Sequence, residues 1–180
     1  GDIHTANQKA ANIDTRDNAK TFIYAFLYGA GSHKLGKIVG GKTEDGRRLQ
    51  RDFLNNTPSL RILRNKVVGN AESGYLTGLD GRILHIRSPH AALNTLLQSA
   101  GAIVMKRAVV ILDHFSRVYK IDYKLVGQVH DEIQVEVQEK QAEFFGDLAV
   151  NCIRRAGKDF KLNCPLDGNY KIGTTWRDTH

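Results

Sequence analysis

The clearest alternation of apolar and polar side chains lies in residues 124–137. Val129, Ile133, Val135 and Val137 are apolar, whereas the residues between the last three are polar. A period of two is typical of a β-strand with one buried face, and the polar break before Ile133 indicates a tight turn. The pattern therefore predicts two strands of a half-buried antiparallel sheet, joined as a hairpin.

A helical period is clearest in residues 15–28. Asp14 or Thr15 is a suitable N-cap, and Gly29 and Gly31 end the pattern. Apolar or amphipathic stretches predict further helices over residues 47–55, 58–68, 89–119 and 139–156. In the last of these, three side chains are expected to face inward: Phe144, Leu148 and Cys152.

Three segments are expected to be non-helical. Residues 36–46 are rich in glycine, which favours a loop. Residues 162–166 are expected to form a strand, and the chain from Asp167 onward a loose tail. Together these elements predict an α/β (α+β) fold with mainly helical structure before residue 80 and a small antiparallel sheet after it.

One face of the helix predicted over residues 15–28 carries Arg16, Lys20, Tyr24 and Tyr28 at intervals of four. On an α-helix these four form a slanted stripe about 18 Å long that covers about 120°. Two cations at this spacing can bind successive phosphates, and aromatic side chains one turn further on can stack on a base. The alternative is an ordinary amphipathic helix with its cations in solvent and its aromatic rings in the core.

His130, Asp131 and Glu132 occupy the break in the predicted hairpin. Adjacent carboxylates repel each other, and a bound divalent cation or a proton relieves that repulsion. The triplet is therefore a candidate metal site. A solvated hairpin turn is the competing interpretation, because Asp and its polar neighbours favour turns.

Composition narrows the choice of partner and compartment. A net charge of +7 and a pI near 9.5 suit a polyanionic partner. Cys152 and Cys164 are too few for a disulfide framework or a zinc site, which fits a reducing cytosol. No uninterrupted apolar run approaches the roughly 18 residues of a membrane span, so no membrane association is expected.

The stripe and the triplet together resemble family A DNA polymerases. The stripe, with Gly29 after it, is similar to the fingers-helix motif of that family, and the triplet is similar to its palm motif. Asp2-Ile3-His4 resembles the fingers segment whose His contacts the incoming triphosphate. The likeness is greatest to the replicative polymerases of T-odd phages, and it extends to Trp176 and His180 near the end of the chain.

The resemblance implies a set of nucleotide-binding residues: His4, Arg16, Lys20, Tyr24 and Tyr28. The first three would hold the triphosphate of the incoming dNTP, and Lys20 would also protonate the departing pyrophosphate. Tyr24 would pack on the sugar and base, in the form of the family that accepts sugars without a 3′-hydroxyl. Tyr28 would stack on the template side.

The resemblance also implies a two-metal Mg²⁺ site, with Asp131 as a ligand of both ions and Glu132 as a supporting carboxylate. Its catalytic residues would be Asp131, Glu132 and Lys20. The family's second metal-binding Asp lies upstream of the Asp-Ile-His segment and is not found in this sequence. We therefore expect the C-terminal portion of a split or truncated polymerase, completed by an N-terminal polypeptide with that Asp, the thumb and any exonuclease. A thioredoxin-like processivity factor would bind through the thumb.

Primer-template DNA is the remaining expected partner. His130 would touch the terminal phosphodiester of the primer, and Arg82 and His90 would contact the backbone. Asn94 and Gln98, which lie four residues apart on the long helix, resemble the pair that contacts the minor groove. The alternative for these two amides is capping of buried backbone groups.

The resemblance implies fingers over residues 1–80 and a C-terminal palm over residues 81–180. The expected function is template-directed transfer of nucleotides from dNTPs to a primer 3′-hydroxyl, in the cytoplasm of an infected bacterial host if the chain is phage-encoded. Two alternatives are a fragment of a single-subunit RNA polymerase and a non-catalytic remnant that binds DNA or nucleotides. The RNA polymerases resemble this chain less, because they carry Met where Tyr24 stands and Ser where Glu132 stands.

Overall fold

The structure is a computed structural model that describes residues 2–179. Within these residues it contains eight α-helices and two antiparallel sheets of two strands each. The helices are α1 (Ile3–Ala11), α2 (Arg16–Leu27), α3 (Ser32–Ile38), α4 (Thr43–Asn56), α5 (Pro58–Asn70), α6 (Ala92–Val118), α7 (Ala142–Asp159) and α8 (Trp176–Thr179). The strands are β1 (Tyr75–Thr77), β2 (Ile83–His85), β3 (Tyr123–Val129) and β4 (Glu132–Val137).

This arrangement confirms the predicted α+β fold class. The chain divides into two compact units, one up to Leu97 and one from Gln98 onward. The names fingers, for residues 1–80, and palm, for residues 81–180, remain predictions. His180 lies outside the described residues.

The first unit has a core of aromatic side chains between α2 and α4. The Phe53 ring meets the rings of Phe22 and Phe26 nearly edge-on, with ring centroids 5.5 Å and 5.3 Å apart. Edge-on contacts of this kind are favoured by the charge distribution of aromatic rings. Ala19 and Ile23 complete the buried face of α2, so the opposite face is left at the surface.

The loop predicted over residues 36–46 is wrong for most of that segment. Gly36 lies in α3 and Gly46 lies in α4, and only residues 39–42 join the two helices. A Cβ on Gly46 would lie 2.6 Å from the backbone nitrogen of Gly36. The glycines therefore allow α3 and α4 to pack with their backbones in contact, and this packing outweighs the low helix propensity of glycine.

The same unit contains a second, smaller core beneath β1 and β2. Val67 of α5, Leu76 of β1 and Leu93 of α6 are buried together there. β1 and β2 pair with Leu76 opposite Leu84. The turns and short extended pieces between α5 and α6 thus have a packing role of their own.

The second unit contains the predicted hairpin. β3 and β4 pair with Val129 opposite Glu132, so residues 130–131 form a two-residue turn. The predicted half-buried face is present in β4, where Ile133, Val135 and Val137 are half-buried. It is wrong for β3, because Leu125, Val126 and Val129 are exposed. Val126 is an extra residue in the register, a β-bulge, which shifts the alternation of faces along β3.

The inward face of α7 also differs from the prediction. Cys152 is buried and Leu148 is half-buried, but Phe144 is exposed, and its neighbour Phe145 is buried instead. Phe144 packs at the surface, where its ring meets that of Tyr119 edge-on. The face of α7 that points inward is therefore rotated by about one residue, or about 100°, from the predicted one.

The C-terminal segment is neither the predicted strand nor a loose tail. Residues 162–166 have no strand pairing. From Asp167 onward, side-chain contacts hold the segment against α7 and the hairpin. Arg154 forms an ion pair with Asp167, and the Tyr170 hydroxyl donates hydrogen bonds to two carboxylates of α7. Anchored contacts of this kind keep a terminal segment ordered.

The segment Pro89–Val118 is long and apolar enough, by length and composition, to span a membrane. Its most apolar window has a mean hydropathy of 1.5, and 33% of that window is buried within the chain. Core helices of soluble proteins pass the same test, so this helix is weak evidence for a membrane span.

Candidate functional site

The predicted stripe lies on the exposed face of α2. Thr15 caps the helix, because its side-chain oxygen accepts a hydrogen bond from the backbone nitrogen of Asn18 at 3.2 Å. The Tyr24 and Tyr28 side chains are 50% and 60% exposed. The interpretation that places the aromatic rings in the core is therefore wrong, and the cations and rings of the stripe are all available at the surface.

An open groove of about 630 Å³ runs along this face, a volume within the usual range of small-molecule sites. Its lining residues are Asp17, Lys20, Thr21, Tyr24, Ala25, Tyr28 and Lys34. Lys34 comes from α3, so two neighbouring helices supply cations to one groove. The spacing of α2 alone could not predict Lys34, because its position depends on the packing of α3 against α4.

His4 lies next to the stripe, as the resemblance implies. Its ring is 6.2 Å from the Tyr24 ring, with an angle of 50° between the planes. The Nδ1 atom of His4 is buried and has no hydrogen-bond partner in the part of the chain that the structure describes. A buried polar atom without a partner is costly, which makes the His4 ring a candidate for contact with a ligand.

Arg16 is held by Asp2 at the start of α1. The Asp2 carboxylate accepts hydrogen bonds from Arg16 Nε at 2.7 Å and from Arg16 Nη2 at 3.2 Å. These bonds hold the pKa of Asp2 far below its usual range, with further bonds from Thr5 and from the backbone of His4 acting in the same direction. Asp2 is therefore ionised at neutral pH, and sequence reasoning did not assign it this contact.

The hairpin triplet lies at the surface of the second unit. His130 and Asp131 form the turn and are exposed, and His130 has a φ of 52°, in the left-handed region. A non-glycine residue in that region is uncommon and is often found at functional sites. The carboxylate of Glu132 accepts a hydrogen bond from Gln134, whose own side-chain oxygen accepts one from Thr179 at 3.2 Å. Gln134 and Thr179, which sequence reasoning missed, thus orient Glu132.

The predicted metal ligands meet only part of what a two-metal centre needs. Carboxylate oxygens are the ligands that Mg²⁺ prefers, and Asp131 and Glu132 supply them. Within residues 2–179, however, the structure contains no group of three or more His, Cys, Asp or Glu side chains that could hold a metal ion. Two ions about 3.5–4 Å apart need carboxylates on both sides, so these residues alone do not fit such a centre.

The predicted DNA-binding residues are spread over both units. Arg82, His90 and Asn94 belong to the first unit, and Gln98 and His130 belong to the second. All except the half-buried Asn94 are exposed. The guanidinium of Arg82 is paired with Asp80, with Nε 2.9 Å from each carboxylate oxygen, and this contact raises the pKa of Arg82.

An exposed row of cations and rings can bind phosphates at its cationic end and stack on a base at its aromatic end. The family model for DNA polymerase family A matches residues 2–178, and the chain belongs to that family. It is 42% identical to the DNA-directed DNA polymerase of Enterobacteria phage T3 and 43% identical to that of Escherichia phage Phieco32, in both cases over its whole length. The chain spans 29% and 30% of those two proteins.

A solved structure has the same fold. It is the POL domain of Pol1 from M. smegmatis in complex with DNA primer-template and dNTP, with a TM-score of 0.77 and 22% sequence identity. The match covers 86% of this chain and 31% of the solved one. Family membership favours a DNA polymerase over the single-subunit RNA polymerase that sequence reasoning kept as an alternative.

Proposed function

We propose that this chain takes part in template-directed DNA synthesis, the transfer of a nucleotide from a dNTP to a primer 3′-hydroxyl. The observation that carries the proposal is the exposed stripe of Arg16, Lys20, Tyr24 and Tyr28 with the groove of about 630 Å³ along it. Membership of DNA polymerase family A supports DNA synthesis as the reaction.

The cationic end of the stripe is proposed to bind the triphosphate. Arg16, Lys20 and His4 would donate hydrogen bonds to the phosphate oxygens, where negative charge accumulates as the bond to the leaving pyrophosphate breaks. Lys20 lines the groove and carries a proton that it can give to the pyrophosphate. The groove also receives Lys34, which adds positive charge on the same side.

The aromatic end of the stripe is proposed to bind the nucleoside. Tyr24 would pack against the sugar and base of the incoming nucleotide, and Tyr28 would stack on the template side. Their exposed rings can provide this surface without any rearrangement of the core. Stacking on an aromatic ring contributes roughly 1–3 kcal/mol per base and tolerates any base, which suits an enzyme that must accept four substrates.

The hairpin is proposed to provide one side of the metal site through Asp131, with Glu132 as the supporting carboxylate. Divalent ions at such a site would activate the primer hydroxyl for an in-line displacement. A segment outside residues 2–179, whether joined to this chain or separate, would supply the second carboxylate. The exposed Leu125, Val126 and Val129 of β3 support further structure packed on this sheet, because exposed apolar patches favour burial.

Primer-template DNA is proposed to contact both units. His130 would touch the primer end, and Asn94 and Gln98 would bind the minor-groove acceptors that all base pairs share. Arg82 and His90 would contact the backbone. Each neutralised phosphate adds close to one unit to the salt dependence of binding, so Arg82→Ala should lower that slope by about one. A thioredoxin-like factor would act through the thumb, outside the described residues.

The test is reconstitution. The chain is mixed with a polypeptide that carries the upstream palm Asp, and Mg²⁺-dependent primer extension is measured. Asp131→Asn should reduce extension by at least about a thousandfold, the scale of lost metal-ion stabilisation. The control is Asp122→Asn, which makes the same charge change at an exposed residue just before β3 and should leave the rate unchanged.

Three other outcomes would contradict the proposal. Extension that survives Asp131→Asn would remove Asp131 from its role. Binding of Mg²⁺-dNTP without any synthesis in the reconstituted mixture would favour the non-catalytic remnant. Faster incorporation of ribonucleotides than of deoxyribonucleotides would favour the RNA polymerase alternative.

A further inference from the structure

The Asp2 carboxylate contacts two of the three residues that are proposed to bind the triphosphate. They are His4 of α1 and Arg16 of α2. Asp2 caps α1 by accepting hydrogen bonds from the backbone nitrogens of His4 and Thr5, at 3.2 Å and 3.3 Å. The same carboxylate holds Arg16, the first residue of α2, through two guanidinium nitrogens. Asp2 therefore fixes the start of α1 and the side chain at the start of α2 with one group.

This contact is poorly explained as a device for stability. The side chains of Arg16 and Asp2 are 50% and 39% exposed, so solvent screens their attraction and even this two-bonded pair contributes only modestly to stability. A cation in the first turn of a helix is also on the unfavourable side of the helix dipole. The geometry is instead well suited to orienting the Arg16 side chain, because two parallel hydrogen bonds fix the plane of a guanidinium.

The pairing leaves a defined part of Arg16 for a ligand. Nε and Nη2 face the carboxylate, whereas Nη1 forms no hydrogen bond to it. A guanidinium has five N–H donors in a rigid fork, so fixing one edge also fixes the direction of the others.

We propose that Asp2 is a positioning residue that orients Arg16, and through the start of α1 also His4, toward the triphosphate of the incoming nucleotide. The inference rests on the proposed function, since it assigns a role in the same nucleotide site. The opposite role would have the opposite effect on KM, because an anion beside a phosphate site repels the phosphate and competes for the guanidinium. The direction in which KM changes when Asp2 loses its charge separates the two roles.

The test uses the polymerase that contains this chain, with saturating primer-template and varied dATP opposite template thymine. Asp2→Asn keeps a side-chain oxygen for the cap of α1 but loses the charge and the bidentate acceptor. Its KM for dATP should rise roughly tenfold and its kcat should fall by a smaller factor, because Arg16 binds the triphosphate before the reaction and also stabilises the charge that develops during it. Asp2→Ala also loses the cap that positions His4, so its KM should rise further than that of Asp2→Asn, and its melting temperature should be lower.

Two further variants make the result specific. Glu44→Gln removes a comparable exposed pair with Arg47, away from the stripe, and should leave KM unchanged. In an Arg16→Ala background, Asp2→Asn should have no further effect on KM, because Arg16 is gone and the asparagine still caps the start of α1, which carries His4.

The outcomes distinguish a failure of the inference from a failure of the proposed function. If Arg16→Ala raises KM but Asp2→Asn leaves it unchanged or lowers it, the positioning role is wrong and the nucleotide site stands. A full effect of Asp2→Asn in the Arg16→Ala background would also overturn the positioning role. If the unaltered polymerase does not incorporate dATP, or if Arg16→Ala leaves KM unchanged, the nucleotide site itself is wrong and the inference falls with it.

Discussion

Gly29, which follows Tyr28 directly, offers a quantitative test of the first unit. Its φ is +77°, and a Cβ added there would overlap the carbonyl oxygen of His90 and lie 3.0 Å from the carbonyl carbon. An alanine in the left-handed region costs roughly 1–2 kcal/mol. Forcing a methyl group against a fixed backbone costs roughly 1–3 kcal/mol more. Gly29→Ala should therefore lower the free energy of unfolding by about 2–5 kcal/mol.

Substitutions at two other glycines separate the conformational cost from the steric cost. Gly40 has a φ of +68° with no atom within 4 Å of an added Cβ, so Gly40→Ala should show only the conformational cost of about 1–2 kcal/mol. Gly69 lies in α5, has equally open surroundings and has no positive φ, so Gly69→Ala should be neutral or stabilise the chain by up to about 1 kcal/mol. Urea denaturation followed by far-UV circular dichroism gives all three values.

The comparison can refute the reasoning in two ways. If Gly29→Ala is no more destabilising than Gly40→Ala, the backbone of His90 does not approach Gly29 as closely as the structure indicates. If both variants resemble Gly69→Ala, the positive φ values are wrong as well. If the contact holds, Gly29→Ala should also displace Tyr28 and raise KM for the dNTP.

Three further predictions use other parts of the chain. Burial raises the pKa of the Cys152 thiol to about 11. Iodoacetamide at about pH 8 should therefore label the exposed Cys164 first. Equal labelling of the two cysteines, measured by mass spectrometry, would contradict this. A hydrogen bond to a glutamate carboxylate of α7 raises the pKa of Tyr170 to about 12. The stabilisation from this bond should be complete below about pH 10 and lost as the pH rises from about 10 to about 12, and Tyr170→Phe should remove that pH dependence of the melting temperature. Lys34→Ala should raise KM for the dNTP by roughly twofold to fivefold, whereas Lys37→Ala, on the same helix but outside the groove, should not.

The elements with strong local signals were predictable from the sequence. A capping Thr15, a period near four and a terminating Gly29 predicted α2, because each of these acts within one or two turns of helix. The hairpin likewise follows from alternation around a polar turn. The four-residue spacing of two cations and two aromatic rings led to the stripe, and the family resemblance then led to His4, whose ring lies beside Tyr24.

The predictions from the sequence are wrong where tertiary packing determines the local structure. Gly36 and Gly46 indicate a loop by propensity, yet they lie in helices because two backbones pack together there. Phe144 and Phe145 are both apolar, so periodicity alone could not decide which of them faces inward. The contact of Asp2 with Arg16 joins two helices across a turn, and no spacing within one helix predicts such a contact.

The glycine contact of α3 and α4 has a practical consequence for engineering this chain. Lys34 belongs to α3, so the position of its side chain in the groove depends on how closely α3 packs against α4. A larger residue at Gly36 or Gly46 would push α3 and α4 apart and move Lys34 away from the groove, although neither glycine lines the groove. Libraries that aim to change nucleotide preference should therefore vary the side chains that line the groove and leave these two positions fixed.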